Sequence, residues 1–310
     1  KEAVIKRRFA AAREQYAAYD VDVDAALSVL AAKPVAMHCW QGDDVGGFER
    51  AGAGPDGGLV ATGNHPGKAR TPAELRADAA QAMKLIPGPV RFNLHAIYLE
   101  NGGKPVDRDQ VSIAHFRGWI AWAKELGIGL DFNPTFFSHP KAADGLTLAH
   151  PDRAIRRFWI EHGRRCREIA AGIAAALGDT VVNNFWVPDG AKDLPADRWS
   201  PRQRLIESYD AIFAGPVPKR VKDAVEGKLF GIGSEEYVVG SAEFYLAYSL
   251  SRKKLLCLDM GHYHPTETIH DKLSAILAFV PELLIHVSRP IRWDSDHVVI
   301  MNEDLLNLAR

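Results

Sequence analysis

Apolar residues follow two different periods along this chain. Over residues 1 to 32 they recur at spacings of three and four, the pattern of two amphipathic helices, with Asp24 placed to cap VDAALSVLA. From residue 34 onward, short runs rich in Val, Ile, Leu and Phe take over: PVAMHCW (34–40), RFNLHAI (91–97), IGLDFNP (128–134), TVVNNFW (180–186), KLFGIG (228–233), LLCLDM (255–260) and LLIHVSR (283–289). Helical patterns lie between them, among them TPAELRADAAQAMKLI, QVSIAHFRGWIAWAKELG, PDRAIRRFWIEHGRRCREIAAGIAAALG, PRQRLIESYDAIFAG and TIHDKLSAILAFVPELL. This alternation predicts parallel strands joined by crossover helices. Seven such units favour an α/β fold of the (β/α)8 TIM-barrel type over a doubly wound open sheet. The chain stops at LLNLAR, so an eighth strand is expected to be missing. No internal repeat interrupts the pattern, and residues 1–310 read as a single domain in which a glycine-rich segment, 41–70, covers the barrel mouth.

Barrel chemistry sits at the carboxyl ends of the strands, and polar residues of this chain collect there. The first run ends in HCWQGDD, the second carries His95, the third Asp131 and Asn133, and the fourth Asn184, Trp186 and Asp189. Glu226, Asp259, His262, His286, Asp294 and Asp296 lie on or just after the last three runs, where adjacent strands are about 4.8 Å apart. In an extended segment residues i and i+2 point to one side, so Asp294 and Asp296 in RWDSDHV can aim both carboxylates at one point. Any one of these side chains is more often a cap or a hydrogen-bonded core group; together they favour a metal site. Mixed oxygen and nitrogen donors, with no thiolate suitably placed, suit Mn²⁺, with Zn²⁺, Co²⁺ and Mg²⁺ as competitors. Six candidates suffice for two cations sharing a carboxylate.

Other residues divide between site and core. Lys228, two residues after Glu226, is better explained by a site, because an unpaired buried lysine is costly. His95, among apolar neighbours, reads equally as a satisfied core histidine or as an acid–base group titrating near neutrality. His38 and Trp40 are likewise divided between pocket and core. His264 and His270 read as solvent-facing or outer groups, Thr266 as a helix cap, and Trp119, Trp122 and Trp159 as core, whereas Trp186 and Trp293 adjoin polar strand ends and suit the apolar face of a sugar.

Composition narrows the partners. A net charge of −1 with no long run of one sign leaves no electrostatic footprint for nucleic acid or a membrane surface. Cys39, Cys166 and Cys257 read as reduced, buried thiols. No apolar run reaches the roughly 18 residues of a membrane span, and the amino end lacks the apolar stretch of a signal peptide, so a cytoplasmic protein is expected.

HCWQGDDVGGFE, ATGNHPGKAR, LIPGPVRFNLHAIYLE, GLDFNPTFFSHP, WVPDGAKD, RQRL, KLFGIGSEEYVVGS, LDMGHYHPTE and HVSRPIRWDSDHVV resemble the bacterial L-rhamnose isomerase family, a group of xylose-isomerase-like barrels. These blocks span about residues 34 to 299, and the last two are the most specific. The resemblance implies a metal-dependent enzyme that interconverts L-rhamnose and L-rhamnulose by a 1,2-hydrogen shift on the open-chain sugar, usually as a cytoplasmic homotetramer. It implies that His262, Asp294 and Asp296 hold a catalytic Mn²⁺, and that Glu226, Asp259 and His286 hold a second, structural metal, often Zn²⁺. By the same resemblance Lys228 and His95 contact the sugar, His95 assisting ring opening, while Val45 and Ile97 meet the C6 methyl group and Trp186 forms a pocket wall. Pro55 and its glycine neighbours depart from the family's cover loop. The family's eighth strand and C-terminal helical extension, with an aspartate that completes the second metal site, are expected to lie beyond Arg310. Two other readings stay open at this point: an inactive truncated fragment of such an enzyme, and a metal-dependent hydrolase on the same barrel.

Overall fold

Seven parallel strands, laid side by side in the order in which the chain makes them, determine where the polar strand ends meet. The computed structural model describes residues 1–38, 46–49, 69–228, 236–264, 266–290 and 299–310. Its strands are β1 (Val35–His38), β2 (Val90–His95), β3 (Gly129–Asn133), β4 (Val181–Trp186), β5 (Gly190–Ala191), β6 (Val221–Glu226), β7 (Tyr237–Val238), β8 (Leu255–Asp259) and β9 (Leu284–His286). The main sheet has the order β1-β2-β3-β4-β6-β8-β9, while β5 and β7 form a separate antiparallel pair. Every neighbouring pair in the main sheet is parallel. A doubly wound sheet reverses its strand order part-way; this one does not.

The sheet is also curled. The rings of His38 and His286, the last residues of β1 and β9, lie edge to face with centroids 4.7 Å apart. Six strand intervals across a flat sheet would separate them by roughly 29 Å. The sheet is thus a half-barrel of the α/β type, with its first and last carboxyl ends brought together. Among the described residues no strand follows β9.

The helices are α1 (Glu2–Ala17), α2 (Val23–Ala31), α3 (Pro72–Met83), α4 (Arg117–Leu126), α5 (Arg153–Leu177), α6 (Ser200–Ile212), α7 (Ala242–Arg252), α8 (His270–Leu277) and α9 (Glu303–Ala309). Local chemistry bounds them. In α5 the Asp152 side chain accepts the Ala154 N–H at 2.7 Å, and Gly178 closes the helix in the left-handed region at φ 69. Thr71 caps α3 ahead of Pro72. Trp119 of α4 and Trp159 of α5 are fully buried against the sheet, as their helical spacing predicts. None of the helices among the described residues is long and apolar enough to cross a membrane.

Three expectations need correction. The fifth strand of the main sheet is Val221–Glu226, not 228–233: Lys228 follows it by two residues, and 229–233 lie outside the described residues. The apolar pattern of VKDAVE is broken by Lys222 and Asp223, yet Asp223 is buried because Arg167 and Lys254 meet its carboxylate at 3.0 and 3.5 Å. Asp22, not Asp24, caps α2, accepting the Ala25 N–H at 3.0 Å, while Asp24 pairs with Arg13 at 2.8 Å. Thr266 does not cap α8; its hydroxyl meets His264 Nδ1 at 2.7 Å. The helices α1 and α2 form where predicted, but neither buries a residue.

Candidate metal centre

Register brings the candidate ligands together. Glu226 ends β6 beside Trp186 of β4 on one side and Cys257 of β8 on the other, and Asp259 ends β8 beside His286 of β9. Period-two alternation puts Cys257 and Asp259 on one face of β8, and the turn after it, closed by the His262 N–H on Asp259 O at 3.2 Å, returns His262 over the strand end.

The carboxylate of Glu226 is the hub. Its Oε1 lies 3.1 Å from His262 Nδ1 and 3.4 Å from His286 Nδ1, and its Oε2 accepts from Asn184 Nδ2. Asp259 Oδ2 is 3.4 Å from His286 Nδ1, while Oδ1 accepts the Gly261 N–H at 2.7 Å and the Ser288 hydroxyl at 2.9 Å. Ligand atoms of Glu226, Asp259 and His262 lie within 4.8 Å of one another, as do those of Glu226, Cys257 and His286. Burial works against the charge on Glu226 and on Asp259, but His286 and His262 hold both carboxyls below their usual range. Burial also opposes a charge on His286, yet the carboxylates of Glu226 and Asp259 hold its pKa well above the ordinary imidazole value.

Two oxygen and two imidazole donors converging in this way fit a hard-to-borderline divalent cation. The thiol of Cys257 at the same place corrects the expectation that no sulfur reaches the site. Burial pushes that thiol up to about 12, so without a cation it is protonated. Asp294 and Asp296 lie outside the described residues.

The remaining candidates surround this cluster. Trp186 stacks on His262 with centroids 6.1 Å apart and meets Phe137 edge-on at 5.6 Å, and Lys228 Nζ sits 6.0 Å from its ring centre. Lys228 is buried, 1% exposed. His95 ends β2 fully enclosed, its Nδ1 3.2 Å from the Thr135 hydroxyl and its ring 5.9 Å from Phe137. Burial, reinforced by His38 and Arg108, lowers its pKa well below the ordinary value, so the imidazole is neutral. Ile97 lies in the turn after β2, where Gly47, at φ +82, comes so close that a Cβ there would meet the Ile97 Cβ at 2.7 Å. His38 takes the pocket side of its two readings: it faces His286, and burial, with that neighbour, lowers its pKa to about 3. Val45, Trp40, Trp293, Cys39 and most of the cover segment 41–70 lie outside the described residues.

A profile of the L-rhamnose isomerase (RhaA) family matches residues 3–310. The chain belongs to the L-rhamnose isomerase family. It is 57% identical to the L-rhamnose isomerase of Rhodopirellula baltica over 99% of this chain and 72% of that protein, and 57% identical to that of Pectobacterium carotovorum subsp. carotovorum over 96% and 71%. Among solved structures, a D-tagatose 3-epimerase-like protein superposes with a TM-score of 0.53 at 13% identity, covering 75% of this chain and 80% of that one. D-psicose 3-epimerase from Clostridium cellulolyticum H10 does so with 0.51 at 12% identity, covering 82% and 73%. At such identities these two speak for the barrel-like fold alone.

Within this L-rhamnose isomerase family member, sequence reasoning missed Ser288 and Phe137 and did not assign Asn184 a role. Nothing in their local patterns marks them; only the strand register places them at the site. Two polar strand-end residues it singled out are structural instead. Asp131 accepts from Arg91 at 2.8 and 3.0 Å, and Asp189 is fully buried, accepting from the Thr147 N–H, the Thr147 hydroxyl and the Ala149 N–H.

Proposed function

We propose that this protein interconverts L-rhamnose and L-rhamnulose by a 1,2-hydrogen shift on the open-chain sugar, using divalent cations held where β6, β8 and β9 end. The observation that carries this reading is that Glu226 joins two adjoining groups of possible ligands, one with Asp259 and His262 and one with His286 and Cys257, in a chain that belongs to the L-rhamnose isomerase family. Asp294 and Asp296 join His262 as ligands of the catalytic cation, Mn²⁺, while Glu226, Asp259 and His286 hold a second cation such as Zn²⁺. When bound, the catalytic cation supplies a Lewis acid that polarises the sugar carbonyl and stabilises the neighbouring oxyanion.

The protein's own groups bind and orient the sugar. Trp186 and Phe137 present an apolar wall to one face of the chain, and Ile97, with Val45, receives the C6 methyl group. Lys228, buried beside Trp186, orients a sugar hydroxyl with its ammonium. His95 meets the ring as a neutral imidazole and passes a proton between the ring oxygen and the anomeric hydroxyl during opening. Residues 1–310 form one domain, with the seven strands of the main sheet among the described residues belonging to a (β/α)8 design, and the full-length form is a cytoplasmic homotetramer.

Incubating the purified chain with L-rhamnose and Mn²⁺ tests this. Ketose should form, stop on chelation and resume when Mn²⁺ is restored; a folded, cation-loaded chain that forms no ketose refutes the reading. His262→Ala should lose roughly 10³-fold or more in kcat/KM, the scale of several kcal/mol of Lewis-acid stabilisation.

A further inference from the structure

We infer that Ser288 and Asn184 are positioning residues that present one oxygen of each buried carboxylate to the cation. The inference rests on the cation-site reading above. Asp259 has its Oδ1 tied by two neutral donors, the Gly261 N–H at 2.7 Å and the Ser288 hydroxyl at 2.9 Å, while its Oδ2 is turned to His286 at 3.4 Å. Glu226 repeats the arrangement. Its Oε2 accepts from Asn184, and its Oε1 is turned to His262 and His286 at 3.1 and 3.4 Å. Each carboxylate therefore has one oxygen fastened and one directed at the imidazoles.

The fastening donors are uncharged, so they leave the full negative charge for the cation. They also fix the terminal carboxylate torsions, which are otherwise broad, and so reduce the ordering entropy that ligation would cost. Both are buried, Ser288 at 2% and Asn184 at 1% exposure, and each reaches its carboxylate from a neighbouring strand or the segment after it: Asn184 on β4 beside β6, Ser288 two residues past β9 beside β8. Outer groups that orient metal ligands typically set 10–100-fold in affinity.

The experiment is a calorimetric titration with Zn²⁺, the cation assigned above to Glu226, Asp259 and His286, of the metal-stripped parent, Ser288→Ala, Ser288→Thr, Asn184→Ser and Glu226→Gln, with the metal-free melting temperature of each recorded. Ser288→Ala and Asn184→Ser should bind Zn²⁺ about 10–100-fold more weakly at a nearly unchanged metal-free melting temperature, and Ser288→Thr should restore binding. Either variant alone carries the test if the other fails to fold. Parent-like binding by Ser288→Ala and Asn184→Ser while Glu226→Gln is impaired overturns the positioning role alone. A lowered metal-free melting temperature without rescue by threonine overturns it too, as a purely structural effect. Parent-like binding by Glu226→Gln sinks the cation site itself.

Discussion

Glu226→Gln keeps the shape of the hub and removes its charge. In the parent this carboxylate faces both imidazoles, at 3.1 and 3.4 Å, and belongs to both ligand groups. Losing an orienting group around a metal ligand costs 10–100-fold in affinity, so losing the charge of a ligand shared by both groups should cost at least about 100-fold. The consequence can be read as stability, because a ligand that binds only the folded chain stabilises it by RT ln(1 + [L]/Kd). At a Zn²⁺ concentration 100 times the parent Kd the parent gains about 2.7 kcal/mol; a variant with a Kd 100 times larger gains about 0.4 kcal/mol at the same concentration. For a chain of this size that is a cation-induced rise in melting temperature of roughly 5 °C in the parent against under about 1 °C in the variant. Each protein is compared with and without Zn²⁺, so any change in metal-free stability cancels. An equal cation-induced rise in both would refute the argument that Glu226 is a ligand.

Three further outcomes follow from other parts of the structure. Asp223→Ala leaves Arg167 and Lys254 facing a buried gap and should destabilise the protein by about 3–5 kcal/mol, measured by urea unfolding; a loss under about 1 kcal/mol would contradict the buried ion pair. His162, fully buried, takes the Thr135 N–H on Nε2 at 3.1 Å and donates Nδ1–H to Arg108 O at 3.0 Å, and burial, with the Arg108 charge, lowers its pKa from 6.5 to about 3. Below pH 6.5 the unfolded chain takes up a proton that the folded one refuses, so stability present above that pH falls by about 1.4 kcal/mol per unit as pH drops. Between pH 7 and 5 the parent should therefore lose about 2 kcal/mol more than His162→Gln in denaturant unfolding, and parallel profiles would refute the linkage. Gly47→Ala forces a side chain into the left-handed region and against Ile97, and should cost about 1–3 kcal/mol by thermal unfolding, with a raised KM for the sugar; unchanged stability and KM would contradict the close approach.

The sequence made most of this architecture legible because a buried parallel strand and an amphipathic helix leave different apolar periods. The one misplaced strand shows the limit of that signal. VKDAVE carries Lys222 exposed and Asp223 buried in an ion pair with residues 56 and 31 positions away, Arg167 and Lys254, a partnership that no local window reveals. KLFGIG, more apolar, attracted the assignment instead. The candidate ligands Asp259 and His286 were easier, because each ends a strand that the apolar pattern marks, whereas Glu226 came to a strand end only with β6 placed at Val221–Glu226. What stayed hidden was relational. That Glu226 Oε1 serves both imidazoles, that Cys257 reaches the cluster as a neutral thiol, and that Ser288 and Asn184 fasten the carboxylates all depend on which residues the register sets side by side. The family likeness supplied the sugar, which no pattern of periods could.

X-ray absorption and anomalous diffraction on the Mn²⁺-loaded protein test the cation site most directly. The account predicts an ion coordinated only by oxygen and nitrogen, within bonding distance of His262, with density for a cation beside Glu226, Asp259 and His286. An ion bound elsewhere, sulfur from Cys257 in its coordination sphere, or no ordered ion in catalytically active protein would contradict it.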